Sequence, residues 1–120
     1  MDTGCDGNVE GMGEEKVEKV FNLLVQATFK DEEAEKDFKD AFIPYAKWVT
    51  ENEPNTVMYT LMKSDKRPLF YNIIERYRDK DRDFVGTHRS SAQFQAFRSQ
   101  LKALQDEGRA ALEGESYVDV

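Results

Sequence analysis

The chain has 120 residues, of which 34% are charged and 12% aromatic, and its formal charge is -7. That length suits a single domain, which on folding buries roughly two thirds of the surface its unfolded chain exposes. A phosphate-binding or polybasic membrane-binding surface needs a basic face, so the acidic balance argues against nucleic acid and against a membrane as partners.

Residues 1–15, "MDTGCDGNVEGMGEE", hold five carboxylates, no Lys or Arg, and four of the seven glycines. A segment so poor in large apolar side chains cannot offset the entropy of ordering it, which predicts a disordered tail over 1–15 and a folded domain over 16–120. The remainder of the chain is close to neutral. Cys5 is the only cysteine and lies in that tail, so no disulfide forms within the chain and a reducing, cytoplasmic setting is expected. No apolar run is long enough for a membrane span or a signal-peptide core.

From Val17, "VEKVFNLLVQATF" sets Phe21, Leu23, Val25, Ala27 and Phe29 against Asn22, Leu24, Gln26 and Thr28, the alternation of a first strand. Asp31, followed by Glu32 and Glu33, caps a helix whose stripe runs through Ala34, Phe38, Ala41, Phe42, Tyr45, Trp48 and Val49. Pro44 falls inside that stripe and predicts a kink rather than a stop, because the stripe continues beyond it. "ENEPN" ends the helix, since the residue before Pro54 is pushed out of helical conformations.

"TVMYTLMKS" and "PLFYNIIERY", joined by "SDKRP", predict a hairpin whose second strand presents Tyr71, Ile73, Glu75 and Tyr77 on one face. "DKDRDF" then supplies capping carboxylates. Phe84, His88, Phe94, Phe97, Leu101 and Leu104 trace a second helical stripe with a break near Ser90. "GESYVDV" offers a turn glycine and a short final strand.

The order strand, helix, strand, strand, helix, strand predicts an α+β, ferredoxin-like βαββαβ subunit: an antiparallel sheet with both helices on one face. Strands one and three carry apolar residues on their other face as well, which predicts a homodimer formed sheet to sheet.

"ENEPNTVMYTLMKS" followed by "YNIIERYRDKDRDFVGTHRSSAQFQAF" resembles the antibiotic biosynthesis monooxygenase domain. The similarity lies in a helix end of the "NEPGT" kind, a strand carrying an acid and an aromatic, and a helix opening with His and small residues. It covers all but the tail. What it implies is a dimeric α/β barrel with a pocket between sheet and helices in each subunit. Some members oxidise quinols or aromatic polyketides with molecular oxygen and neither metal nor flavin. Some degrade haem, one bacterial group processes a phosphorylated signal, and others have no assigned reaction.

Position by position, His88 matches the histidine at the helix opening, Glu75 the acid on strand three, and Tyr77 a position where many members have Trp or Tyr. The chain departs from the pattern at Gln93, where members often carry a second histidine, so a two-histidine mechanism is not implied. Gln26 and Tyr77 fall near two positions used by haem degraders, but His88 does not match their axial ligand, which disfavours haem degradation.

Oxygenation without a cofactor needs a substrate whose own anion reacts with oxygen, so the protein must deprotonate it, hold the anion and exclude water. His88, with an ordinary pKa near ~6.5, suits the first task. Glu75 can orient the imidazole or act as base itself if burial raises its pKa. Tyr77 and Tyr71 can stack on a ring and donate to an oxyanion, Trp48 can add a flat contact, and Asn22 and Gln26 can add polar ones.

The blander alternatives are a capping or core-edge role for His88 and an ion pair of Glu75 with Arg76 or Arg78. The tyrosines and Trp48 can be packing, and Asn22 and Gln26 can satisfy each other. One His and one tail Cys do not make a zinc site, and "DKDRD" lacks the glycine and distal Glu of a calcium loop, so no metal is expected. The reading is therefore a homodimeric, cofactor-independent monooxygenase of a small quinol-like or phenolic compound, with oxygen as co-substrate. The alternatives are an isomerase or lyase of a small hydroxy-carbonyl compound, and a non-catalytic ligand-binding or stress-response dimer.

Overall fold

The computed structural model describes residues 18–120; the tail expected over 1–15 lies outside the described residues. The alternating segments form β1 (Phe21–Phe29), β2 (Thr56–Lys63), β3 (Phe70–Tyr77) and β4 (Ala110–Val118), and the striped ones form α1 (Glu32–Asn52) and α2 (Ala92–Asp106). All strand pairs are antiparallel and the sheet order is β2-β3-β1-β4, the ferredoxin-like arrangement expected from the sequence.

Alternation decides which side chains meet the helices. In β1 and β3 the register pairs Phe21 with Tyr77, Leu23 with Glu75, Val25 with Ile73 and Ala27 with Tyr71, and these side chains share the covered face. Phe38, Phe42 and Val49 of α1 and Phe97, Leu101 and Leu104 of α2 close the core over them. Phe38 and Phe42 are 0% and 1% exposed, and burying each contributes about 1.5–3 kcal/mol.

Local signals set the helix ends. The Asp31 carboxylate accepts from Ala34 N at 2.9 Å, and α1 runs on through Pro44, as its unbroken stripe predicts. The second stripe is two pieces rather than one helix with a weak break. Lys80–His88 forms a π-helical segment, in which Arg89 N reaches Phe84 O at 2.9 Å, and α2 starts afresh with Ser91 accepting from Phe94 N at 3.0 Å. Gly86 fits the wide turn, because a Cβ there would lie 3.1 Å from Asp81 O.

The final strand starts earlier than "GESYVDV" suggests. Gly108, at φ 72°, ends α2 with Arg109 N bonded to Leu104 O at 2.8 Å, so β4 begins at Ala110 and Gly114 lies within it, opposite Val25. Among the described residues no helix is long and apolar enough to cross a membrane.

Candidate functional site

Between the sheet and α2 lies a cavity of about 670 Å³, lined mainly by apolar side chains such as Leu23, Val25, Ile73, Phe84, Phe94 and Leu101. Strand alternation puts two polar groups among them: Glu75 of β3 and, directly opposite it in the register, Tyr59 of β2. Arg89 and Arg98 also reach the cavity wall.

Glu75 is 8% exposed, and its Oε1 accepts from the Tyr77 hydroxyl at 2.6 Å. Burial pushes the Glu75 carboxyl above its ordinary range; the Tyr77 bond and the nearby His88 oppose this without cancelling it. Tyr77 is fully buried, and burial drives its hydroxyl far above the usual phenol range, so it stays a donor to Glu75.

His88, at the end of the π-helical segment, is 1% exposed and stands behind the cavity wall rather than in it. Its ring packs against Tyr59 (5.3 Å between centroids), Tyr77 (5.2 Å) and Phe94 (5.2 Å). The carboxylate on its Nδ1 is Glu53, at 3.0 Å, and not Glu75; its Nε2 meets the Tyr45 hydroxyl at 3.0 Å. With the proton on Nδ1, Nδ1–H donates to Glu53 and the Tyr45 hydroxyl donates to Nε2, so both ring nitrogens are satisfied.

Tyr45 in turn packs edge to face on Tyr59, 5.8 Å between ring centroids, and burial raises both hydroxyls well above the ordinary phenol range. Glu53, the residue that ends α1, also accepts from Thr56 Oγ1 at 2.9 Å, while its second oxygen, Oε2, is buried without a hydrogen-bond partner.

The structure thus brings Glu75, Tyr77 and His88 together, with Glu75 alone of the three on the cavity wall. The other four expected contacts lie elsewhere. Tyr71 is on the covered face but farther along β3, donating to Glu35 Oε2 at 2.5 Å, and Trp48 packs partly buried against the core. Asn22 and Gln26 face the opposite side of the sheet. Asn22 Nδ2 donates to Asp119 Oδ1 at 2.8 Å, and Gln26 lines a shallow depression with Leu24 and Tyr117.

Sequence reasoning passed over Tyr45, Tyr59 and Glu53. Tyr45 sat in an apolar stripe and Glu53 in a helix stop, where each had a sufficient structural explanation. Tyr59 was readable, since its alternation partner Leu61 shares the covered face.

A family model described as antibiotic biosynthesis monooxygenase matches residues 15–100. No curated protein sequence matches the chain. Among solved structures it is similar to a proposed antibiotic biosynthesis monooxygenase from Caulobacter crescentus CB15, at 19% identity and TM-score 0.67 over 86% of this chain and 93% of that one. It is also similar to SnoaB, a cofactor-independent oxygenase from Streptomyces nogalater, at 17% identity and TM-score 0.66 over 85% of this chain and 94% of that one. A conserved protein of unknown function from Bacteroides thetaiotaomicron VPI-5482 gives 17% identity and TM-score 0.68 over 85% and 99%. At these identities the structural likeness speaks for fold alone. The family model, spanning most of the chain, says more: this chain belongs to the antibiotic biosynthesis monooxygenase family.

Proposed function

We propose that the protein is a homodimeric, cytosolic monooxygenase that oxidises a small phenolic or quinol-like compound with molecular oxygen, using neither metal nor flavin. The observation that carries this reading is Glu75, a carboxylate of raised proton affinity on the wall of an otherwise largely apolar cavity large enough for a fused aromatic ring system.

Glu75 takes the proton of the ring hydroxyl. The electron-rich anion adds oxygen at the ring C–H carbon opposite, and the resulting peroxide collapses. One oxygen atom stays as the new carbonyl; the other leaves as water with the hydroxyl and C–H hydrogens. Tyr77 keeps Glu75 aimed, His88 tunes the wall from behind, and the apolar lining withholds water from the anion.

The test is oxygen uptake by metal-stripped protein with a panel of phenols that have a free C–H opposite the hydroxyl, including α-naphthol, beside Glu75→Gln and His88→Ala. Uptake that requires the protein and Glu75 supports the reading; none across the panel sinks it. Arg89 and Arg98 at the cavity favour a second reading. In it, Glu75 moves a proton beside the carbonyl of an anionic hydroxy-carbonyl compound, and turnover persists without air.

The dimer is supported by the uncovered sheet face. Met58 and Met62 are 40% and 42% exposed there, beside the partly buried Leu24 and Ile74. A second copy laid sheet to sheet covers these apolar side chains. A monomeric mass at micromolar concentration in light scattering contradicts this.

A further inference from the structure

Glu53 and His88 are buried ionisable groups that the reaction as proposed leaves without a defined task. They lie in a continuous line of touching polar side chains. Tyr59, at the cavity, meets Tyr45 edge to face with 5.8 Å between ring centroids; the Tyr45 hydroxyl bonds to His88 Nε2 at 3.0 Å; and His88 Nδ1 bonds to Glu53 Oε1 at 3.0 Å.

The line has two distinct ends. The inner one, Tyr59, stands opposite Glu75 across the β2–β3 ladder. The outer one, Glu53, borders a separate depression of about 100 Å³ formed by Pro54, Asn55, Thr56, Asp83 and Thr87. Glu53 Oε2 is buried with no hydrogen-bond partner, so one acceptor at the outer end stands free.

We propose that Tyr59, Tyr45 and His88 form a reversible proton relay from the cavity to Glu53, which holds the substrate's proton while the anion awaits oxygen and returns it to the peroxide. The inference rests on the oxygenase reading above.

Each hop moves one proton and no electrons. Glu75 passes the substrate proton to the Tyr59 oxygen, directly or through one water. Tyr59 gives its own proton to Tyr45, Tyr45 gives its own to His88 Nε2, and His88 Nδ1 gives its own to Glu53. Glu75 is ionised again, His88 has exchanged tautomers, and both of its hydrogen bonds have reversed. The line is then polarised for the return trip. The charged and titratable groups facing it include Glu75 and Tyr77 from β3, Asp83 from the π-helical segment and Arg89 at the cavity.

Glu53→Gln keeps the shape and an acceptor for Nδ1–H but cannot take the proton; Tyr45→Phe cuts the line in the middle. With α-naphthol or whichever panel compound is turned over, each is expected to lower kcat on the order of tenfold or more with KM unchanged and to change the solvent isotope effect. Formate, a small acid able to enter the outer depression, should restore turnover in Glu53→Gln only. Undiminished kcat in both variants overturns the relay. So does a loss with an unchanged isotope effect and no rescue, which marks a bracing role.

A wild-type protein that consumes no oxygen refutes the oxygenase reading instead, and nitrogen NMR of His88 then judges the relay alone. A proton on Nδ1 in the free protein that moves to Nε2 when α-naphthol is bound under nitrogen supports it. An unchanged tautomer, or Nε2–H from the start, overturns it. Should Glu53→Gln fail to fold, Tyr45→Phe and the NMR measurement decide.

Discussion

Two carboxylates on the covered side of the sheet each accept a short hydrogen bond from a β3 tyrosine, yet their proton affinities move in opposite directions. Glu35 of α1 accepts from Tyr71 at 2.5 Å and is pulled below its ordinary range by that bond and by Lys63, 3.1 Å away. Glu75 accepts from Tyr77 at 2.6 Å and is pushed up, because burial outweighs the bond. The tyrosine is common to both and does not decide the outcome. What differs is a lysine at the sheet edge on one side and a cavity wall without a paired cation on the other. One carboxylate is held by a salt bridge, and the other is the group proposed above as the base.

The largest effect should come from Glu75→Gln, which is expected to lower turnover by about two to four orders of magnitude in oxygen uptake while leaving Tyr77 a side-chain acceptor. Activity near wild type in that variant would erase the distinction between the two carboxylates. Phe42 packs between the regions, stacked on Phe38 at 5.3 Å and on Tyr59 at 5.6 Å, so Phe42→Ala is expected to cost about 3–5 kcal/mol in urea unfolding. Tyr71→Phe leaves Glu35 with its lysine and should cost about 1–2 kcal/mol by the same measurement.

Lys63→Met should cost less than about 1 kcal/mol, since the lysine side chain is 54% exposed and well screened. The pH dependence sharpens the contrast. Glu35 has a lowered folded-state pKa, so its contribution is present above the ordinary value near 4.5 and is lost as pH falls through the folded value; Lys63→Met should therefore converge on wild type in acid. Glu75 has a raised one, so the stability it contributes is present below 4.5 and lost as pH rises through the folded value. Glu75→Gln should gain on wild type across that rise in thermal melts. Parallel curves for the two variants would refute the opposite shifts.

Much of the fold was legible because it rests on local rules. The Asp31 cap, the stripe through Pro44 and the parity of Tyr71, Ile73, Glu75 and Tyr77 all act within a few residues. Where the reading slipped, two local signals competed. Gly114 looked like the turn glycine, but Gly108 holds the positive φ that ends α2, and strand pairing with Val25 carries β4 straight through Gly114. The apparent second helix hid a π-helical segment, since Phe84 and His88 keep a helical spacing while the turn between them widens.

The site was legible by face and not by neighbour. Parity places Glu75 on the covered side, but gives neither the cavity in front of it nor the burial that raises its proton affinity. Asn22 and Gln26 were assigned from polarity on a strand, and polarity does not say which face the helices cover.

The sequence by itself determined the element order, the two faces of each strand and the family pattern, because these follow from spacing along a single chain. Only the tertiary structure decided that His88 meets Glu53, 35 residues away, and Tyr45, 43 residues away, rather than Glu75. Those contacts depend on how α1, the hairpin and the π-helical segment pack together. Burial and hydrogen-bond geometry, which set the chemistry of an acid, exist only once they have done so.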